Sequence, residues 1–222
     1  MSYRYDNDLE FLGKCTNEEL KELFNILVYD PKDGEERFSS TLTLSDEYKK
    51  YGTDYSKYWK RIAEELQLYG GNTIVNNIIR FGSGVTYREI LEDVAKNLKV
   101  IYTKSSSTQE IEDSILEKVL FEIFSKISED EAKKLFSEFS DDELVLKNLN
   151  TSLGVNGAPW GKIGLSLVNK GLTRVVGGLL TGPIGLVLNA WIVADIAGPA
   201  TRVTVPAVIL IATLRKKKMQ NL

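Results

Sequence analysis

The feature that most constrains this chain is a long stretch near its C-terminus without any charged side chain. Residues 175–194 contain no Asp, Glu, Lys or Arg, and residues 203–214 form a second uncharged run. A membrane-spanning helix needs about 20 apolar residues, whereas runs of about 10–14 more often belong to buried or interfacial helices. Only the first run is therefore long enough to cross a bilayer.

Glycines and a proline interrupt this first run. Thr181-Gly182-Pro183 falls near its middle, and further glycines lower its helix propensity. In lipid, the backbone groups freed at such a break need partners from another helix. The sequence predicts a helical hairpin instead of one straight span: a helix ending near Leu180, a second over residues 183–196 and a third over residues 200–218.

Charge divides the chain into two unlike parts. Residues 154–222 carry eight basic side chains against Asp195 alone, a net charge of +7, so the first 153 residues carry −10 of the total of −3. An acidic first part followed by a basic, apolar and glycine-rich end indicates two parts with different neighbours. We predict three segments: a small helical N-terminal unit (1–50), an acidic helical domain (51–150) and a glycine-rich apolar helical region with a basic C-terminus (151–222).

Helix starts recur along the acidic part. A capping box, Ser or Thr followed three residues later by Glu, occurs five times, at Thr16/Glu19, Thr86/Glu89, Ser107/Glu110, Ser128/Glu131 and Ser140/Glu143. In a capping box the hydroxyl accepts from a backbone N–H, and the carboxylate reaches back to the first residue. Five such starts favour a mostly helical protein.

Apolar side chains follow the spacing of helices instead of strands. Residues 20–27, 55–69, 90–98 and 111–127 each place apolar side chains three or four residues apart, and the stripe over 55–69 ends at the Gly70-Gly71 pair. "RFSSTLTLS" (37–45) is the only alternating run, and predicts at most a short extended piece or loop. The predicted fold class is all-α, a multi-helix bundle with the glycine-rich apolar hairpin at its C-terminal end.

Composition excludes several function classes. The chain has no histidine and one cysteine, Cys15, which excludes Ser-His-Asp and Cys-His catalysis, histidine zinc sites and an intrachain disulfide. Gly161-Lys162 lacks the remaining residues of a P-loop, and Asp30, Asp33 and Gly34 lack the spacing of an EF-hand. We expect no cofactor and no metal, and the acidic part would repel nucleic acid.

Three stretches resemble the bacterial YaaW family. They are "DNDLEFLGKCTNEELKELFNIL", "IAEELQLYGGNTIVNNIIRFGSGVTYREILEDVAKNLKV" and "ATRVTVPAVILIATLRK"; the most specific parts are residues 69–72 and 87–91. The middle region of that family is labelled as similar to ubiquinol-cytochrome c chaperones. The resemblance implies a helical N-terminal unit followed by a helical domain, and supplies no catalytic residues.

The leading expectation is a non-enzymatic cytoplasmic protein that associates, through helices, with a partner protein or a membrane surface. The candidate contact region is 175–214, with the interaction residues Gly178, Leu179, Leu180, Gly182, Ile184, Leu186, Trp191 and Ile192. Arg215, Lys216, Lys217 and Lys218 are the predicted contacts to lipid or another anion. A basic last turn that complements the helix dipole is the alternative for these four residues.

Two further readings remain open. The apolar C-terminal region can be buried core, with an apolar groove among helices 54–127 that binds a client segment, as in a soluble assembly chaperone. An enzyme that uses carboxylates is the third reading, and would require a polar pocket. We place the chain in the cytoplasm, because it has one cysteine and "MSYRYDNDLEF" lacks the apolar core of a signal peptide. There it can lie peripheral to the inner membrane.

Overall fold

The computed structural model describes residues 3–30, 33–38, 40–73, 84–124 and 201–220. In these ranges the chain forms six α-helices: α1 (Asn17–Val28), α2 (Asp46–Tyr51), α3 (Trp59–Thr73), α4 (Tyr87–Asn97), α5 (Thr108–Phe124) and α6 (Thr201–Gln220). Two short 3-10 helices, Glu10–Lys14 and Tyr55–Tyr58, precede α1 and α3. The described residues contain no strand, only one isolated bridge between Tyr29 and Glu36. The all-α prediction is confirmed.

Three predicted capping boxes are present. Thr16 and Thr86 each accept a hydrogen bond from the N–H three residues later, and Glu19 and Glu89 accept from the N–H of the cap residue. Ser107 and Glu110 make the same reciprocal pair. The boxes predicted at 128–131 and 140–143, like the hairpin over 175–196, lie outside the described residues.

Helix α3 continues to Thr73, past the Gly70-Gly71 pair at which its apolar stripe ends in the sequence. A methyl group on Gly70 would lie 2.4 Å from Cγ1 of Ile90 and 2.8 Å from Cγ2 of Val85, so the glycine lets α3 approach α4 closely. Gly70 is therefore a residue of tight helix packing.

The core is built around α6. This helix packs against α1, α3, α4 and α5, and its apolar residues belong to the same hydrophobic cluster as Leu23, Ile62 and Leu91. Phe24 of α1 lies 4.9 Å, centroid to centroid, from the ring of Tyr55. Described helices of all three predicted segments thus share one core, while the segment boundaries themselves stay a prediction.

Candidate functional site

The second uncharged run is the centre of the fold. Side chains from Val203 to Leu214 are buried, with Val205, Val208, Ile209 and Ile211 fully enclosed. A helix that is apolar on every side requires neighbours on every side, and α1, α3, α4 and α5 supply them. The expectation that the contact region extends through residue 214 is therefore wrong for its last part, because these side chains are core.

Arg215 follows this apolar run and enters a buried ion pair. Its Nε lies 2.9 Å from Oε2 of Glu112 on α5, and its Nη2 donates to the carbonyl of Asp8 at 2.6 Å. The guanidinium also stacks 4.5 Å from the ring centre of Phe11. The two charged side chains are only 11% and 3% exposed, so this pair lies within the core.

Tyr87 completes the polar cluster around Glu112. Its hydroxyl donates to Oε1 of Glu112 at 2.7 Å, and its backbone N–H donates to the buried carboxylate of Asp6 at 2.5 Å. Burial raises the pKa of Glu112, and the charge of Arg215 offsets part of that effect. Burial, reinforced by the charge of Glu112, also raises the pKa of Tyr87 well above its ordinary value.

Glu19 on α1 forms ion pairs with the two lysines that follow in α6. Lys217 Nζ lies 2.7 Å from its Oε1, Lys218 Nζ lies 2.9 Å from its Oε2, and the N–H of Thr16 donates to Oε2 at 2.8 Å. Burial by itself raises the pKa of Glu19, but the two ammonium groups and the Thr16 N–H outweigh it and lower the pKa to about 2. The capping carboxylate of α1 thereby anchors α6 as well.

Cys15 lies buried beside this cluster. Burial, reinforced by the negative charge of Glu19, raises the pKa of its thiol to about 12. A thiol that stays protonated at neutral pH is a poor nucleophile, because the thiolate is the reactive form. The geometry therefore makes Cys15 a packing residue.

Lys216 pairs with α5 nearer the surface. Its Nζ lies 2.8 Å from Oδ1 of Asp113, whose side chain is 36% exposed. All four residues predicted to contact lipid or another anion thus face carboxylates of the same chain. Their contact with an external anion stays a prediction, and such an anion would have to compete with Glu19, Glu112 and Asp113.

The structure does not describe the residues predicted for interaction. Gly178, Leu179, Leu180, Gly182, Ile184, Leu186, Trp191 and Ile192 all lie outside the described ranges. The part of the candidate site that the structure does describe is the anchored end of α6.

Sequence reasoning missed the carboxylates that hold α6. Glu19 was assigned only a capping role, and Glu112 was not singled out. A signal existed for Glu112: it lies four residues before Leu116 and directly after Ile111, so it falls on the buried face of α5. A carboxylate on a core face requires a buried cation, and Arg215 at the end of an uncharged run was the available partner.

Within the described part of the chain, no three or more acidic or cysteine side chains come together in a way that could hold a metal ion. What the described cluster does chemically is fix the register of α6 against α1 and α5. Charged groups within it are paired with one another, which favours a structural role.

Among the described helices, none combines the length and the apolar character needed to cross a bilayer.

Comparisons with known proteins give consistent results. Residues 3–38 match the family model described as "Domain of unknown function (DUF3944)". A UPF0174 protein of Helicobacter pylori strain J99 is 42% identical, covering 99% of this chain and 95% of the relative. The UPF0174 protein YaaW of Escherichia coli strain K12 is 34% identical, covering 97% and 96%. No solved structure matches the chain.

Proposed function

The chain belongs to the UPF0174 family that includes YaaW, and on that premise we propose that it acts, without catalysis, by associating with a partner protein or a membrane surface. The proposed contact segment is residues 175–194, the longer uncharged run. The observation that carries the proposal is the burial of α6. The shorter apolar run is buried inside the fold, so we assign the proposed contact to the longer run alone.

The anchoring of α6 supports the same proposal. α6 begins at Thr201, only a few residues after the proposed contact segment, and is tied to α1 and α5 by ion pairs. The helix that follows the proposed contact segment in sequence is therefore held firmly to the folded body. We place the protein in the cytoplasm, peripheral to the inner membrane, and the free, buried thiol of Cys15 is compatible with that location.

Vesicle co-sedimentation of the full chain tests the membrane arm. We expect the wild type to bind vesicles of phosphatidylglycerol and phosphatidylethanolamine, and Leu186→Asp/Ile192→Asp to lose binding, because charged side chains oppose insertion. Tyr5→Ser, at a side chain 70% exposed on the described body, is the matched control and should bind like the wild type. Binding that disappears at high salt would assign the contact to the basic residues over apolar insertion.

The partner arm needs a separate measurement. If vesicles do not bind, affinity capture should recover a protein with the wild type and lose it with Leu186→Asp/Ile192→Asp. Equal behaviour of wild type and double variant in both assays would overturn the proposal. Circular dichroism of each variant shows whether the body is still folded.

We propose the client-binding role as the second candidate. The observation favouring it is that α1, α3, α4 and α5 already enclose one apolar helix, α6. An external client would have to displace α6 and break the Arg215–Glu112 pair. A fluorescein-labelled peptide with the sequence of residues 201–214 should then bind Arg215→Ala more tightly than the wild type. Absence of binding to both proteins would exclude this role for the groove.

A further inference from the structure

An acidic surface with exposed apolar side chains lies on the loop after α1. Tyr29 pairs with Glu36 across a tight turn closed by Gly34, whose φ is +75°. The inner side of this turn is buried, since Arg37 Nη1 lies 2.9 Å from Asp30 Oδ2 and the Arg37 side chain is only 9% exposed. The outer side of this turn and the turn after it carry exposed side chains. We call them the acidic loop patch: Tyr29, Asp33, Glu35, Glu36, Phe38 and Leu44.

The apolar members of this patch are unusually accessible. Phe38 is fully exposed and Leu44 is 70% exposed. Thr43 donates to Glu36, which holds the Leu44 segment beside the Tyr29–Glu36 pair. Residues 29–47 carry six carboxylates and two basic side chains. A large exposed apolar side chain among like charges is typical of a contact surface, because the apolar groups supply affinity and the charges select the partner.

A surface of opposite charge lies on the loop between α4 and α5. Residues 96–104 hold three lysines and no carboxylate, and Ile101 among them is 91% exposed. The basic loop patch consists of Lys96, Lys99, Ile101 and Lys104. Lys99 lies two residues after the end of α4 and has a left-handed φ of 56°, and Val100 N–H donates to the Ala95 carbonyl at 2.8 Å. Glycine is the usual residue at that position, because it adopts a left-handed φ without strain, but here the position is occupied by a lysine.

We propose that the acidic loop patch of one copy binds the basic loop patch of a second copy. Each patch offers what the other needs: exposed apolar side chains surrounded by charges of opposite sign. The two surfaces are different, so the contact is head-to-tail and can continue into a ring or an open chain. An anionic lipid or nucleic acid would be repelled by the acidic loop patch, which favours a protein carrying lysines as its partner. This inference is independent of residues 175–194.

Charge reversal on each side tests the contact. Sedimentation velocity of the full wild-type chain, from low to high micromolar concentration, should show self-association that weakens as salt is raised. Glu35→Lys/Glu36→Lys alone and Lys99→Glu/Lys104→Glu alone should each weaken it by roughly a hundredfold or more, since like charges then face each other. Lys14→Glu/Lys57→Glu, at exposed lysines outside both patches, is the matched control and should associate like the wild type.

Mixing the variants gives the decisive result. Equal amounts of the two patch variants should associate again, because each reversed patch then meets a patch of opposite charge. The quadruple variant should associate with itself for the same reason. A monomeric wild type over the whole range, patch variants that associate like the wild type, or a mixture that stays monomeric would each overturn the proposal. The same variants leave residues 175–194 unchanged. If they bind vesicles like the wild type but do not self-associate, the self-association is a property separate from the proposed function.

Discussion

Two carboxylates form ion pairs with the basic end of α6, but their pKa values shift in opposite directions. Glu112 has one cation, Arg215, and its pKa is raised because burial dominates. Glu19 has two cations and a backbone N–H, and its pKa is lowered to about 2 although it is also buried. The charged form of a buried carboxylate in this core is therefore favoured only where the surrounding cations and donors outweigh the cost of its burial.

The largest expected effect comes from removing the cation at Glu112. Arg215→Met leaves a buried carboxylate without its counter-ion, and should lower the free energy of unfolding by about 3–5 kcal/mol, measured by urea denaturation. Glu112→Gln/Arg215→Met removes both charges and keeps an oxygen for the Tyr87 hydroxyl, so it should recover much of the loss. A double variant no more stable than the single one would contradict this account of Glu112.

The contribution of Glu19 to stability should change with pH in the opposite direction from that of a carboxylate whose pKa is raised by burial. Its folded pKa of about 2 lies below the ordinary value of 4.5, so its contribution is present above pH 4.5 and is lost as pH falls toward 2. The shift corresponds to at most about 3 kcal/mol. Glu19→Gln should therefore be less stable than the wild type at pH 6, and the gap should narrow by pH 3. A gap that stays constant or widens in acid would show that the charge of Glu19 is not what stabilises α6.

The smallest effect is expected at Lys216. Its partner Asp113 is about one third exposed, and exposed pairs contribute about 0–1 kcal/mol because water and salt screen them. Lys216→Ala should lower the free energy of unfolding by less than about 1 kcal/mol in the same urea experiment. A loss as large as that of Arg215→Met would mean that the degree of burial does not determine how much each ion pair contributes to stability.

Local signals predicted the helices well. Thr16, Thr86 and Ser107 each begin a helix as expected, because capping depends on residues only three positions apart. The reason for Gly70 lies on another helix, at Ile90, and no local signal predicted that contact. Local patterns report where a helix starts, but a close approach between helices involves residues distant in sequence.

In the candidate site, too, the sequence identified one half of each ion pair and the tertiary structure identified the other. The sequence alone identified Arg215, Lys216, Lys217 and Lys218 as a basic cluster at the end of an apolar run. Only the tertiary structure showed that Glu19, Glu112 and Asp113 face that cluster. The partners lie about 100 to 200 residues away along the chain, so no spacing rule connects them.

By itself, the sequence determined that this chain is helical, where several helices begin, and that its last uncharged run is too short to span a bilayer. Each of these follows from the local chemistry of caps, helical periodicity and segment length. The tertiary structure decided that this run is the centre of the core and that its basic end is held by carboxylates. Burial and ion pairing are properties of neighbours in space, and folding is what brings those neighbours together.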